Sequence, residues 1–103
     1  MNRLRKNNQD QLNVMRKIVE HPNLSQRDLA AKLGFSLGKL NYCLKELKVK
    51  GFVKMNNFKK SKNKMKYIYI LTPGGIAAKT KLTINFMKRK MQEYNELKKE
   101  IAD

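Results

Sequence analysis

Residues 24–51 read LSQRDLAAKLGFSLGKLNYCLKELKVKG. The first part of this stretch predicts a short helix, because Ser25 is a favourable N-cap residue and Asp28 follows three residues later, as in a capping box. Gly34 is expected to end this helix, since glycine readily adopts the left-handed conformation that follows many helices. The residues predicted to face the core are Leu29, Ala30 and Leu33.

The second part predicts another helix over about residues 37–50, capped by Ser36 and ended by Gly51. Its buried stripe is predicted to be Leu40, Cys43, Leu44 and Leu47. Two helices joined by a tight turn form a helix-turn-helix, whose second helix presents its free face to the major groove of DNA. The predicted DNA contacts are Arg27, Ser36, Gly38, Lys39, Asn41, Tyr42 and Lys45. The alternative for each residue is an ordinary solvated helix face.

A β-hairpin is predicted next, with strands over about residues 52–57 and 66–72. The second strand is rich in β-branched and aromatic residues. Between Phe52 and Thr72 the chain has lysines but no acidic residue. The hairpin tip is predicted to bind the phosphate backbone as a wing through Lys59, Lys60, Lys62 and Lys64. A run of lysines that serves only solubility is the alternative.

The segment before the helix-turn-helix predicts a first helix over about residues 9–20, after a loose segment at residues 1–7. Its apolar stripe is predicted to be Leu12, Met15, Ile18 and Val19. The helix is predicted to stop at His21-Pro22-Asn23, because Pro22 disfavours helical structure at the residue before it.

A long final helix is predicted from Pro73 to about residue 101, with Thr72 as a cap. Gly74 and Gly75 weaken its first turn, so a start one or two residues later is also considered. Heptad-like spacing predicts dimerisation through Ile84, Met87, Met91, Tyr94 and Ile101. The predicted fold is mainly α with a small β-hairpin, an α+β winged helix-turn-helix. Residues 8–73 are predicted to form the DNA-binding domain, and residues 74–103 the dimerisation helix.

The composition favours a polyanionic partner, because the formal net charge is +16 and the pI is about 10.2. Cys43 and His21 are the only residues of their types, so neither a disulfide framework nor a metal site is predicted. The sequence shows no pattern typical of a catalytic site, and we expect neither an enzyme nor a cofactor. The start of the chain has no signal-peptide pattern, which favours a cytoplasmic, nucleoid-associated protein.

Several segments resemble the MarR family of winged-helix regulators, namely residues 24–34, 47–53 and 71–75. The chain is also similar to a short subgroup described as EPS-associated MarR-type regulators, through residues 57–59, 63–64, 67–73 and 88–94. The resemblance implies a homodimeric, sequence-specific regulator that binds double-stranded DNA. It also implies a link to exopolysaccharide gene clusters.

Two departures from the family pattern change what is expected. MarR proteins typically carry an Asp-x-Arg motif in the wing, whereas residues 52–72 contain neither Asp nor Arg. We therefore expect the wing to supply affinity through lysine, and the helix before it to supply specificity. The chain is also shorter than typical members, so a complete pocket for a phenolic ligand is not expected. The identity of any small-molecule effector stays open.

Three other functions remain open at this point. An RNA-binding or general nucleoid protein would share the positive charge but show no preferred duplex sequence. A protein-interaction adaptor would use the same fold and the methionine-rich final helix to bind a partner. A ligand- or redox-sensing switch would act through an effector or through the thiol of Cys43.

Overall fold

Six elements follow one another in the predicted order in the computed structural model. It describes the backbone of residues 2–61 and 64–102, and the side chains of residues 3–56 and 68–102. The elements are α1 (Asn2–Glu20), α2 (Gln26–Leu33), α3 (Leu37–Val49), β1 (Val53–Ser61), β2 (Lys64–Leu71) and α4 (Pro73–Ala102). This architecture confirms the predicted α+β fold class, mainly helical with one antiparallel hairpin.

Helix α1 begins at Asn2, so the prediction of a loose segment at residues 1–7 is wrong for residues 2–7. The physical reason is tertiary, because the Asn7 amide donates a hydrogen bond of 3.2 Å to Glu46 of α3. Val19 was also assigned wrongly, since 52% of its surface is exposed, whereas Val14 is fully buried. The predicted stripe members Leu12, Met15 and Ile18 are confirmed as buried. Together with Gln11 and Val14 they follow the spacing of one helix face.

Helices α2 and α3 begin and end at the predicted residues. The N–H of Asp28 donates to Ser25 Oγ over 3.2 Å, and the N–H of Lys39 donates to Ser36 Oγ over 3.1 Å. A left-handed glycine follows each helix, Gly34 with φ 70° directly after α2 and Gly51 with φ 78° after Lys50, the C-cap residue of α3. After each, the next N–H reaches back five residues to a helix carbonyl, which satisfies groups that would otherwise lack a partner.

The core lies where α1, α2 and α3 meet the start of the hairpin. The predicted stripe of α3 is confirmed, since all four of its members are at most 2% exposed. Leu33, Phe35, Phe52, Tyr69 and Leu71 are partly buried and pack against this core. The buried cluster is Val14, Met15, Ile18, Leu29, Ala30, Leu40, Cys43, Leu44, Leu47 and Val53.

The hairpin is longer than the sequence predicted. Strand β1 pairs antiparallel with β2 from Val53 opposite Leu71 as far as Ser61 opposite Lys64, with an irregularity between Lys59 and Ser61. Strand pairing therefore continues into the segment that was predicted to be a loop at residues 58–65. Backbone hydrogen bonds sustain a two-stranded ribbon, and lysine does not interrupt them as proline would.

Helix α4 begins at Pro73, and the alternative of a later start is wrong. Thr72 caps the helix, because its Oγ1 accepts a hydrogen bond of 3.0 Å from the Gly75 N–H. Gly75 is buried against the turn after α3, where a Cβ atom would lie only 1.9 Å from the carbonyl oxygen of Phe52. The missing side chain of Gly75 thus allows α4 to start directly against the end of α3. No helix in the described part of the chain is long and apolar enough to cross a membrane.

Candidate nucleic-acid interface

The exposed face of α3 carries most of the predicted DNA contacts. Because Leu40, Leu44 and Leu47 hold the opposite face in the core, Gly38, Asn41, Tyr42 and Lys45 are directed to solvent. Tyr42 keeps 58% of its surface exposed. The N-cap residue Ser36 fixes where this helix starts and is itself exposed.

A groove separates this face of α3 from strand β2 of the hairpin. It is lined by Asn41, Leu44, Lys45, Lys48, Val49 and Tyr69. Lys45 and Lys48 form no ion pair among the described side chains, so their charges are available to an anion. Tyr69 forms the wall of the groove from β2, and its partial burial raises the pKa of its hydroxyl.

The sequence prediction missed Lys48 and Tyr69. Helical spacing could have identified Lys48, which lies seven residues after Asn41 on the same side of α3. Tyr69 could not be found in that way, because its place beside α3 depends on how the hairpin packs on the core.

Lys39 lies at the other edge of α3, next to α1. Its Nζ is 3.4 Å from Asp10 Oδ2 and 4.1 Å from the centre of the Phe35 ring. The ammonium group is thus held by a carboxylate and by an aromatic face. Lys39 is half-buried and separate from the exposed residues Asn41 and Lys45.

A polar cluster joins α1 to α3 beneath Tyr42. Gln11, only 1% exposed, donates to Glu46 over 2.7 Å and accepts from Lys50 Nζ over 2.9 Å. Glu46 also accepts from Asn7. The Tyr42 hydroxyl lowers the pKa of Glu46, with Asn7 contributing next, and Glu46 in turn raises the pKa of Tyr42. This cluster fixes the side chain of Glu46 directly behind a predicted DNA contact.

Three of the four predicted wing lysines lie on the strands of the hairpin. Lys59 and Lys60 belong to β1 and Lys64 to β2, so they extend along paired strands instead of sitting in a loop. Their side chains, and Lys62 altogether, lie outside the described residues. Arg27, the remaining predicted contact, is exposed in the first turn of α2.

The cysteine and histidine show no sign of a reactive or metal-binding site. Cys43 is 2% exposed, and burial raises the pKa of its thiol, which opposes formation of the thiolate that a redox sensor requires. No group of side chains suited to hold a metal ion occurs among the residues that the structure describes.

Helix α4 presents a row of exposed apolar side chains. Leu82 packs against the core, whereas the predicted seam faces solvent. Its members are exposed by between 47% and 86%, namely Ile84, Met87, Met91, Tyr94 and Ile101. Such a row of exposed apolar side chains on a charged helix is typical of an interaction face.

Residues 11–54 match the family described as winged helix-turn-helix DNA-binding. The same fold occurs in the PcaV transcriptional regulator from Streptomyces coelicolor in complex with its natural ligand, with a TM-score of 0.67 and 16% identity. That similarity covers 91% of this chain and 73% of PcaV. The fold is the winged helix-turn-helix of MarR-type regulators.

Two further solved structures have this winged helix-turn-helix fold. MarR from Staphylococcus aureus in complex with salicylate and kanamycin has a TM-score of 0.66 and 16% identity, over 84% of this chain and 57% of that one. A single-residue variant of MepR from S. aureus bound to an oligodeoxyribonucleotide has a TM-score of 0.64 and 20% identity, over 86% and 70%. No curated protein has significant sequence similarity to the chain.

Proposed function

We propose that the protein is a sequence-specific regulator of transcription that binds double-stranded DNA through the winged helix-turn-helix. The observation that carries this proposal is the exposed polar face of α3, held against the core by Leu40 and Leu44 and flanked by the hairpin. The match of residues 11–54 to DNA-binding winged helices supports it. So does the structural neighbour that is bound to an oligodeoxyribonucleotide.

The side chains on α3 have the chemistry to read base edges. Asn41 can pair with adenine in the major groove, and Lys45 with guanine. Tyr42 can hydrogen-bond to a base or a phosphate, and Gly38 leaves room for the helix to approach the duplex closely. We assign backbone contacts to Arg27, Ser36 and Lys39, and to the wing lysines Lys59, Lys60, Lys62 and Lys64.

We further propose that the regulator acts as a homodimer through α4. The exposed seam from Ile84 to Ile101 supports this arrangement, because a second copy would remove its methionines and Tyr94 from water. Two-fold symmetry then requires an operator of two half-sites, about one helical turn apart.

The resemblance to EPS-associated regulators extends the proposal to exopolysaccharide genes, in a protein that resides on the cytoplasmic nucleoid. Genome-wide mapping of bound sites tests this extension. Enrichment of promoters of exopolysaccharide genes would support it, and a set of sites without such promoters would contradict it.

Non-specific nucleic-acid binding is the second candidate function. The observation that favours it is the net charge of +16 in a chain of 103 residues, which alone attracts any duplex or RNA. It differs from the first proposal in needing no particular side chain on α3.

Binding to labelled duplex by variants of α3 distinguishes the two candidates. For a selected operator, we expect Asn41→Ala to weaken binding by about 1–3 kcal/mol while leaving binding to unrelated duplex unchanged. Asn95→Ala, an exposed asparagine of α4, is the matched control. Equal affinity of wild type and Asn41→Ala for every duplex would favour the non-specific candidate.

A further inference from the structure

The first two turns of α1 extend past the core and border α3 on the side opposite the hairpin. A groove of about 660 Å³ lies there, between α1 and Tyr42. Its lining comprises Arg3, Leu4, Lys6, Asn7, Asp10 and Tyr42. Tyr42 therefore belongs both to the exposed face of α3 and to this groove.

The acidic side chains near the groove already have partners. Asp10 is paired with Lys39, and Glu46 accepts hydrogen bonds from Asn7 and Gln11. Arg3 and Lys6 are exposed and form no ion pair with any described side chain. Arg3 and Tyr42 line the same groove. The groove therefore presents two unneutralised cations beside α3.

We propose that Arg3 and Lys6 bind the phosphate backbone of the same duplex whose major groove receives α3. An α-helix with its side chains is roughly 10–12 Å across, and the major groove is about 12 Å wide. A helix that fills the groove therefore has a phosphate backbone on each side. Lys48 faces one backbone from the hairpin side, and Arg3 and Lys6 face the other from α1.

This assignment rests on the proposed function and adds a second backbone contact to it. Phosphate contacts position a protein without reading sequence, so their loss weakens binding to all duplexes by the same factor. Each lost contact also makes the affinity less dependent on salt. The slope of log affinity against log salt concentration becomes smaller in magnitude by about 1. Arg3 and Lys6 together should account for a slope of about 2 per subunit.

The test is a salt titration of duplex binding by the full chain carrying Arg3→Ser and Lys6→Ser. We expect weaker binding to operator and to unrelated duplex alike, and a smaller salt slope. The matched control is Arg16→Ser with Lys81→Ser, which removes the same charge from exposed positions that line neither groove. The charge-preserving swap of Arg3→Lys with Lys6→Arg should retain most of the affinity, which separates lost charge from a disturbed fold.

Three results would overturn the assignment. If the serine variant matches the control in both affinity and salt slope, these residues do not contact the backbone, and the proposed function stands. If only operator binding falls, the residues read bases. If wild type binds no duplex at all, the proposed function fails as well.

Discussion

The side-chain amide of Gln11 lies 2.7 Å from Glu46 Oε2 and ties α1 to the predicted recognition helix. Gln11 is buried, and its carbonyl oxygen accepts from Lys50 at the end of the same helix. One residue of α1 thus contacts two successive turns of α3.

We expect Gln11→Ala to destabilise the protein by about 1–3 kcal/mol, because it removes a buried side chain together with its hydrogen bonds to Glu46 and Lys50. The free energy of unfolding in urea measures this loss. Gln92→Ala removes an exposed amide from α4 and should change it by no more than about 0.5 kcal/mol. Equal effects of the two substitutions would show that the buried cluster does not stabilise the fold.

Glu46 should make stability depend on pH in acid. The hydroxyl of Tyr42, followed by Asn7, lowers the pKa of Glu46 from its ordinary value of 4.5. A carboxyl with a lower pKa in the folded state stabilises the fold above its unfolded-state pKa, and this contribution is lost as pH falls through the folded-state pKa. The drop in unfolding midpoint between about pH 6 and about pH 3 should therefore be smaller in Glu46→Gln than in wild type.

The control for this measurement is Glu20→Gln. Lys17 lowers the pKa of Glu20 too, but that pair is exposed at the end of α1 and solvent screens it. If Glu20→Gln reduces the pH dependence of stability as much as Glu46→Gln does, the cluster beneath Tyr42 has no special role in it.

Gly75 and Gly74 offer a matched pair for the junction between α3 and α4. A Cβ at Gly75 would lie 1.9 Å from Phe52 O and 2.8 Å from its carbonyl carbon, so Gly75→Ala forces the backbone apart. We expect a loss of about 1–3 kcal/mol in the free energy of unfolding. A Cβ at Gly74 meets nothing closer than 3.7 Å, so Gly74→Ala should be neutral or mildly stabilising. If Gly74→Ala destabilised the protein more than Gly75→Ala, α4 would not start against Phe52.

If the seam of α4 forms a dimer, a charged side chain placed in the seam should disrupt that dimer. Met87→Glu places a carboxylate in the middle of the seam, where pairing with a second copy would bury it, so sedimentation should show a monomer where wild type is a dimer. Gln92→Glu makes the same change of charge off the seam and should leave the dimer intact. A wild-type monomer at micromolar concentration would refute dimerisation through α4.

Local chemistry made much of this fold predictable. Ser25, Ser36, Gly34 and Gly51 determine where α2 and α3 begin and end through bonds within a few residues, and the sequence shows those signals directly. The stripe of α3 was predictable for the same reason, because helical spacing alone places Leu40, Cys43, Leu44 and Leu47 on one face.

The features that were not predicted from the sequence depend on contacts between residues far apart in the chain. Val14 and Val19 are equally apolar, and only the packing of α1 against α3 decides that Val14 is buried. Asn7 and Gln11 look like surface residues until Glu46, at least 35 positions away, becomes their partner. Likewise, Gly75 looked like a weak helix start, whereas its lack of a side chain lets α4 approach Phe52.

Selection from a random pool of duplex DNA tests the central claim most directly, with wild type and Asn41→Ala compared side by side. We predict that wild type enriches a motif of two related half-sites about one helical turn apart. The Asn41→Ala variant should lose preference at defined positions within each half-site. If the DNA selected by wild type binds tightly but contains no enriched motif, the claim that α3 reads sequence is contradicted.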